Sequence, residues 1–240
     1  MGVPEGRAAR TLILSCMTWP DIESRARRPV LIVPLGSCEQ HGPHLPLHTD
    51  TVIATALAEH LAKTDDSFLV APAVAAGASG EHQAFPGTLS IGTAAMTQVV
   101  VELVRSADWA GGVVLVNGHG GNRCAVDAAV ATLHGEGRRV LSWWPRVAGG
   151  DAHAGHTETS LMLAIAPGSV RLAAATAGDT SPLSALADRL VAEGVRAVSP
   201  SGVLGDPTSA SASDGHVLLT TLTDDLLTSV ELWRSEVVHQ

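Results

Sequence analysis

The sequence predicts an α/β fold: a mainly parallel central sheet flanked by helices, with the active site at the carboxyl ends of the strands. Three observations predict it. Short, nearly continuous apolar runs recur through the first part of the chain, helical patterns with one apolar stripe separate them, and two ligand-rich loops follow directly on two of the runs. An apolar run without alternation suits a strand buried on both faces, as in a parallel sheet. Strand and helix alternate about four times, the signature of right-handed crossovers.

The opening MGVPEGRAARTLILSCM puts arginines before a short apolar run. It lacks a small-residue cleavage site and polar TWPDIESR follows, so it reads as an ordinary N-terminal segment. Val30–Leu35 (VLIVPL) is the first strand; 68–74 and 112–116 (GVVLV) are similar, and 138–144 is weaker. Within 51–63, Val52, Ile53, Ala56, Leu57 and Leu61 fall on one helical stripe. Segments 93–105 and 122–134 behave alike, with Asp50 and Asn122 as expected N-caps. From residue 158 onward the chain is mostly helical, over 158–165, 182–193 and 214–238. The stretch 199–214, rich in Ser, Gly and Pro, reads as a loop, either a lid or a connector. With no internal repeat and no interdomain linker, residues 1–240 are expected to form a single domain.

Composition narrows the function. The 240 residues are 45% hydrophobic with a formal net charge of -9, which describes a globular chain without the basic face of a nucleic-acid binder. No apolar run approaches the roughly 18–20 residues of a membrane span. Cys16, Cys38 and Cys124 form no C-x-x-C pair. Such a sparse, odd set argues against a disulfide framework and fits a reducing, cytoplasmic compartment.

Three constellations carry ligating chemistry. The first is E-x-H-(x8)-D, Glu39, His41 and Asp50, in a loop just past the first strand. It reads as a polar loop with a capping Asp or as a metal loop, because borderline cations accept carboxylate oxygen and neutral imidazole together. Alternate residues in an extended segment diverge, so Glu39 and His41 would reach different ions, while a carboxylate such as Asp50 can bridge two ions about 3.5–4 Å apart. The second, NGHGGN, follows the 112–116 strand. Its glycines would either cradle phosphate or present His119 to a cavity; no G-x-G-x-x-G and no P-loop lysine supports the first. The third, DAHAGHTETS, crowds His153, His156 and Glu158 ahead of an apolar helix, where Thr157 or Thr159 would serve as plain caps. Open α/β sheets bind ligands beyond the carboxyl ends of their strands, which puts the first two loops at one edge.

Together GSCEQHGPHLPLHTD, SGEHQAFPGTLS, NGHGGN and HAGHTETS resemble the creatininase family of metal-dependent amidohydrolases, over roughly residues 12 to 166. Within it, the opening TWPD and the WWPR before DAHAGHTETS look most like the mycofactocin-system creatininase-like peptidases. The resemblance implies two divalent metal ions per subunit (Zn, Fe(II) or Mn). It implies Glu39, His41, Asp50 and His119 as ligands, with Asp50 as the bridge. Creatininases place a glutamate two residues after the NGH histidine; here Gly121 stands there, which puts creatinine turnover in doubt. In relatives with NGHGGN the glutamate of E-T-S takes that role, which implies Glu158. His153 matches the histidine at the reaction centre, where it would shuttle a proton to the leaving nitrogen. Ser79, Glu81 and His82 match the substrate-facing segment; His156, His44 and His48 are left as supporting residues.

The implied function is metal-dependent hydrolysis of an amide or peptide bond. The leading expectation is removal of a C-terminal Val-Tyr dipeptide from the modified mycofactocin precursor peptide, and the alternative is hydrolysis of a small cyclic amide or formamide. A cysteine hydrolase using Cys38 and a metal-storing protein without catalysis are the competing classes. A homo-oligomer, hexamer or octamer, is the family expectation, with a peptide or small amide as substrate and neither nucleic acid nor membrane as partner.

Overall fold

The computed structural model describes residues 12–236. Its sheet has four strands, β1 (Val30–Leu35), β2 (Phe68–Val70), β3 (Gly112–Asn117) and β4 (Val140–Trp143), in the order β2-β1-β3-β4. All neighbours run parallel. The apolar runs locate all four. The second strand is shorter than its run, because Pro72 has no N–H to give the ladder; pairing resumes beyond it, where the Val74 N–H donates to the Pro34 carbonyl at 3.0 Å.

Eight helices accompany the strands among the described residues: α1 (Trp19–Glu23), α2 (Thr49–Ala62), α3 (Gly92–Ser106), α4 (Arg123–Gly135), α5 (His156–Ile165), α6 (Leu183–Glu193), α7 (Val195–Val198) and α8 (Ala212–Ser235). The end of the expected 214–238 helix lies partly outside the described residues. Every residue of β1 and β3 is buried, and successive side chains go to opposite faces. Val30, Ile32, Val114 and Val116 pack with α2, α5 and α8, through Leu57, Leu161, Met162 and Leu226. Leu31, Val33, Val113 and Leu115 pack with α3 and α4, through Met96, Val100, Val126 and Ala129. Two covered faces explain why these strands read as unbroken apolar runs.

Two expected caps are corrected. Asp50 lies inside the first turn of α2, whose N-cap is His48; its carboxylate turns inward to Ser37, His41 and His119. Asn122 does stand at the N-cap of α4 but makes no side-chain cap bond. Its carboxamide accepts from the Ala78 N–H at 2.8 Å and donates to Gly36 O at 3.0 Å and to Asn117 Oδ1 at 3.1 Å, stitching three loops at the carboxyl edge. At α5 neither Thr157 nor Thr159 caps. The Asp151 carboxylate accepts from the His156 and Thr157 N–H groups instead, and anionic caps also suit the positive end of a helix.

Within the expected 199–214 loop, segment 199–205 forms a wall of the cluster. Ser199, Val203 and Leu204 are buried, and Leu204 exchanges backbone hydrogen bonds with His153 at 2.9 and 3.1 Å.

Candidate metal centre

Four loops leave the carboxyl ends of the strands and meet over the boundary between β1 and β3. There the chain, having added β2 on one side of β1, crosses to the other. This is the topological switch point where open α/β sheets hold ligands. The loop after β1 brings Glu39 and His41 and leads into Asp50, that after β2 brings Ser79, Glu81 and His82, that after β3 brings His119, and that after β4 brings His153 and Glu158.

Asp50 is the hub. Its Oδ1 lies 2.9 Å from His41 Nε2 and its Oδ2 3.2 Å from His119 Nδ1. Ser37 Oγ donates to Oδ2 at 2.7 Å. Two triads therefore share this carboxylate, one with His41 and Glu158 and one with Glu39 and His119, their donor atoms within 4.8 Å of one another. A third triad, of Glu39, His41 and His153, bridges the two. Backbone carbonyls orient the rings. His41 Nδ1 donates to Glu39 O at 3.1 Å, leaving Nε2 for Asp50. His119 Nε2 lies 3.1 Å from Ala78 O, leaving Nδ1 for Asp50. A ligating imidazole characteristically spends its other nitrogen this way.

The electrostatics show what the cluster lacks. Glu39 is 0% exposed, yet neither carboxylate oxygen has a hydrogen bond of acceptable geometry; His119 Nε2 stands 3.1 Å from Oε2 and His82 Nε2 3.3 Å from Oε1. Among the described residues, the ion pairs of Glu39, Asp50 and Glu158 are all with histidines, none with Lys or Arg. Buried charge is costly unless compensated. In the metal-free cluster two imidazoles compensate. Burial pulls His41 down, but Asp50, Glu158 and Glu39 together lift it to about 10. His119 rises well above the usual histidine value, burial being outweighed by Glu39 and Asp50. Asp50 falls well below the carboxylate range despite its burial, because both imidazoles face it. Burial lifts Glu158, whose side chain is only 23% exposed, to about 7. Buried carboxylate oxygens without hydrogen bonds, an acidic cluster faced only by imidazoles among the described residues, and a mixed O/N donor set fit a pair of divalent ions.

The remaining sequence-predicted residues divide. His153 is buried at the centre, its ring 4.2 Å from that of His41 and 4.5 Å from that of His82. His82 and Ser79 are buried against the cluster, with Ser79 Oγ 3.3 Å from His119 Nε2. Of the expected substrate-facing segment, Glu81 alone reaches the rim, its side chain 31% exposed. His156 turns away to Asp214, with Nε2 3.5 Å from Oδ2, and to Ser209. His48 is exposed. His44 is buried and ties its loop to α5, Nε2 2.9 Å from Thr159 Oγ1. Cys38 Sγ donates to Gly87 O at 3.7 Å and bonds no histidine among the described residues. Trp143 belongs to the core and donates from Nε1 to Asp225 at 2.7 Å.

Sequence reasoning missed three contributors. Gln40, between two ligand-type residues, is buried and bonded to both His82 and the 199–205 wall. Ser37 braces Asp50. Ala154 holds a left-handed φ of 53°, rare for a residue with a Cβ. That turn aims its N–H at Glu158 Oε2, at 2.6 Å. Only the position of Gln40 inside E-Q-H carried a signal in the sequence.

The family model described as creatininase, creatinine amidohydrolase, matches residues 15–230. The chain belongs to the creatininase family. It is 50% identical over 216 residues to the mycofactocin precursor peptide peptidase of Mycobacterium tuberculosis (strain CDC 1551 / Oshkosh), across 85% of this chain and 86% of that relative. It superposes on a mutant creatininase of Zn-Zn type with a TM-score of 0.75 at 25% identity, covering 91% of this chain and 96% of that one. A manganese creatininase gives 0.74 at 26%, covering 91% and 97%. Like its creatininase relatives, this chain is a hydrolase of C–N bonds.

At Gly121 of this creatininase-family member the structure gives the reason a side chain is excluded. A Cβ on Gly121 would overlap Glu81 Oε1, the Ala78 carbonyl and His119 Nε2. Gly121→Ala is therefore expected to lower stability by roughly 1–3 kcal/mol and to displace His119. Thermal melting with elemental analysis checks this; an alanine variant that melts with wild type and keeps its metal would show that the loop yields freely.

Proposed function

We propose that this chain is a metal-dependent peptidase that removes the C-terminal Val-Tyr dipeptide from the modified mycofactocin precursor peptide. The observation that carries the hydrolytic reading is Asp50, one carboxylate presenting each oxygen to a separate histidine–carboxylate set. The substrate rests on the likeness to the mycobacterial peptidase. In this reading Glu39, Asp50 and His119 would hold one divalent ion, and His41, Asp50 and Glu158 the other, drawn from Zn, Mn and Fe(II). When bound, such a pair supplies Lewis acidity, bringing the pKa of water from 15.7 towards about 7 and polarising an amide carbonyl.

The chain's own groups do the rest. His153 Nε2 donates to Gln40 O at 2.8 Å, so the neutral ring presents a bare Nδ1 towards Glu39 and the reaction centre. Burial, reinforced by His41 and His82, keeps His153 well below the usual histidine value and hence neutral. Its Nδ1 accepts the proton given up by the attacking water and passes it to the leaving nitrogen as the C–N bond breaks. Glu81, at the rim, meets the substrate. Burial of the cluster limits the water that would weaken these interactions.

The test is to incubate metal-loaded protein with the modified precursor peptide and weigh the products. Release of the dipeptide, abolished by chelation and restored by one of the three metals, is the expected result; an intact peptide would sink the substrate assignment. Cys38→Ala is expected to keep near-normal rates, and its inactivity would instead support a thiol nucleophile.

A further inference from the structure

We infer that Gln40 is a positioning residue whose side chain fixes the tautomer of His82, beside Glu39. The orientation of the carboxamide is decided by two backbone groups of unambiguous polarity. Gln40 Oε1 accepts from the Gly42 N–H at 2.9 Å, and Nε2 donates to Gly202 O at 3.0 Å. One hydrogen on Nε2 remains. His82 Nδ1 lies 2.9 Å away and His153 Nε2 3.1 Å away. His153 Nε2 already carries a proton for the Gln40 carbonyl at 2.8 Å, so it has no lone pair to offer. The second hydrogen goes to His82 Nδ1. A neutral imidazole with a bare Nδ1 must carry its proton on Nε2, and that N–H faces Glu39 Oε1 at 3.3 Å.

Gln40 thus sets two histidines in different ways: its main-chain carbonyl fixes His153, and its side chain fixes His82. The same carboxamide is held by the 199–205 wall. Gly202 sits at φ +81°, and a Cβ there would overlap the Gln40 carboxamide, so wall and amide fit only without a side chain between them. The consequence is a line of fixed polarity, from Gly202 O through Gln40 to His82, which leaves the His82 Nε2 proton on the side of Glu39.

The role of Glu39 as a ligand rests on the proposed function, but the tautomer does not, and the experiment separates them. In full-length, zinc-loaded protein labelled with 15N-histidine, long-range 15N–1H spectra are expected to show His82 protonated on Nε2 and bare on Nδ1. Gln40→Leu, of similar shape, should release that preference. Gln40→Glu, which offers an acceptor in place of the donor, should move the proton to Nδ1. Both variants should keep their metal and melt lower than wild type, because the bonds to Gly42 and Gly202 are lost, while turnover of the precursor peptide falls ten- to a hundredfold, chiefly in kcat. A wild-type His82 carrying Nδ1–H would overturn the inference, as would a Gln40→Leu protein with its tautomer or its kcat unchanged. If neither variant folds, the wild-type spectrum still decides. If no peptide is cleaved even by wild type, the substrate reading falls and the tautomer result stands.

Discussion

Asp50→Asn is expected to abolish activity more completely than any other single exchange in the cluster. The change keeps the shape but removes the charge that both triads share. Lewis-acid stabilisation by a bound ion contributes several kcal/mol, so losing the shared anion should lower kcat/KM by at least ~10^3-fold, equivalent to about 4 kcal/mol. Metal content should fall at both positions together. Glu158→Gln, by contrast, should weaken only the position held with His41, and Glu39→Gln only that held with His119. Elemental analysis of the three proteins, purified alike, distinguishes them. Full metal content in Asp50→Asn would mean that the carboxylate is not shared.

The fold and the ligand types were legible because their causes are local. A strand covered on both faces must be apolar throughout, so Val30–Leu35 and 112–116 announced a parallel sheet. A site at its carboxyl edge must place donors just after the strands, so Glu39, His41 and His119 stood out. What was not legible depends on how distant loops meet. Asp50 read both as a helix cap and as a bridging ligand, and nothing in its neighbourhood says that Ser37 and two imidazoles draw it inward. Asn122 read as a cap for the same reason, and spends its carboxamide on loops 44 and 86 residues away in sequence. Ser79 and His82 were expected to face substrate. They lie buried beside the cluster, where the turn at Gly80–His82 touches α6 and α7, which carry no recognisable motif. Gln40 stands inside E-Q-H, but an amide between two ligands looks like a spacer until its partners are known.

The second large effect is on pH. In the metal-free protein His41 holds its proton up to about 10 and His119 well above the ordinary range, whereas a nitrogen must be bare to bind an ion. Loading both positions at pH 7 should therefore release about two protons per chain, plus a fraction from Glu158, which titrates at about 7. Each raised histidine stabilises the metal-free fold fully below its unfolded value near 6.5, and for His41 that contribution disappears as pH rises through about 10. Glu158 acts in the same direction: its raised value makes the ionised form costly, a penalty that sets in above the unfolded value of 4.5 and is complete above about 7. From pH 6.5 to 10 the metal-free protein should lose stability while the loaded protein gains affinity, so the difference in Tm between the two must widen. Calorimetric titration with zinc in buffers of different ionisation heat counts the protons, and melting curves at successive pH values follow the gap. Loading without proton release, or a gap that narrows with pH, would mean that the carboxylates of this cluster are balanced by something other than His41 and His119.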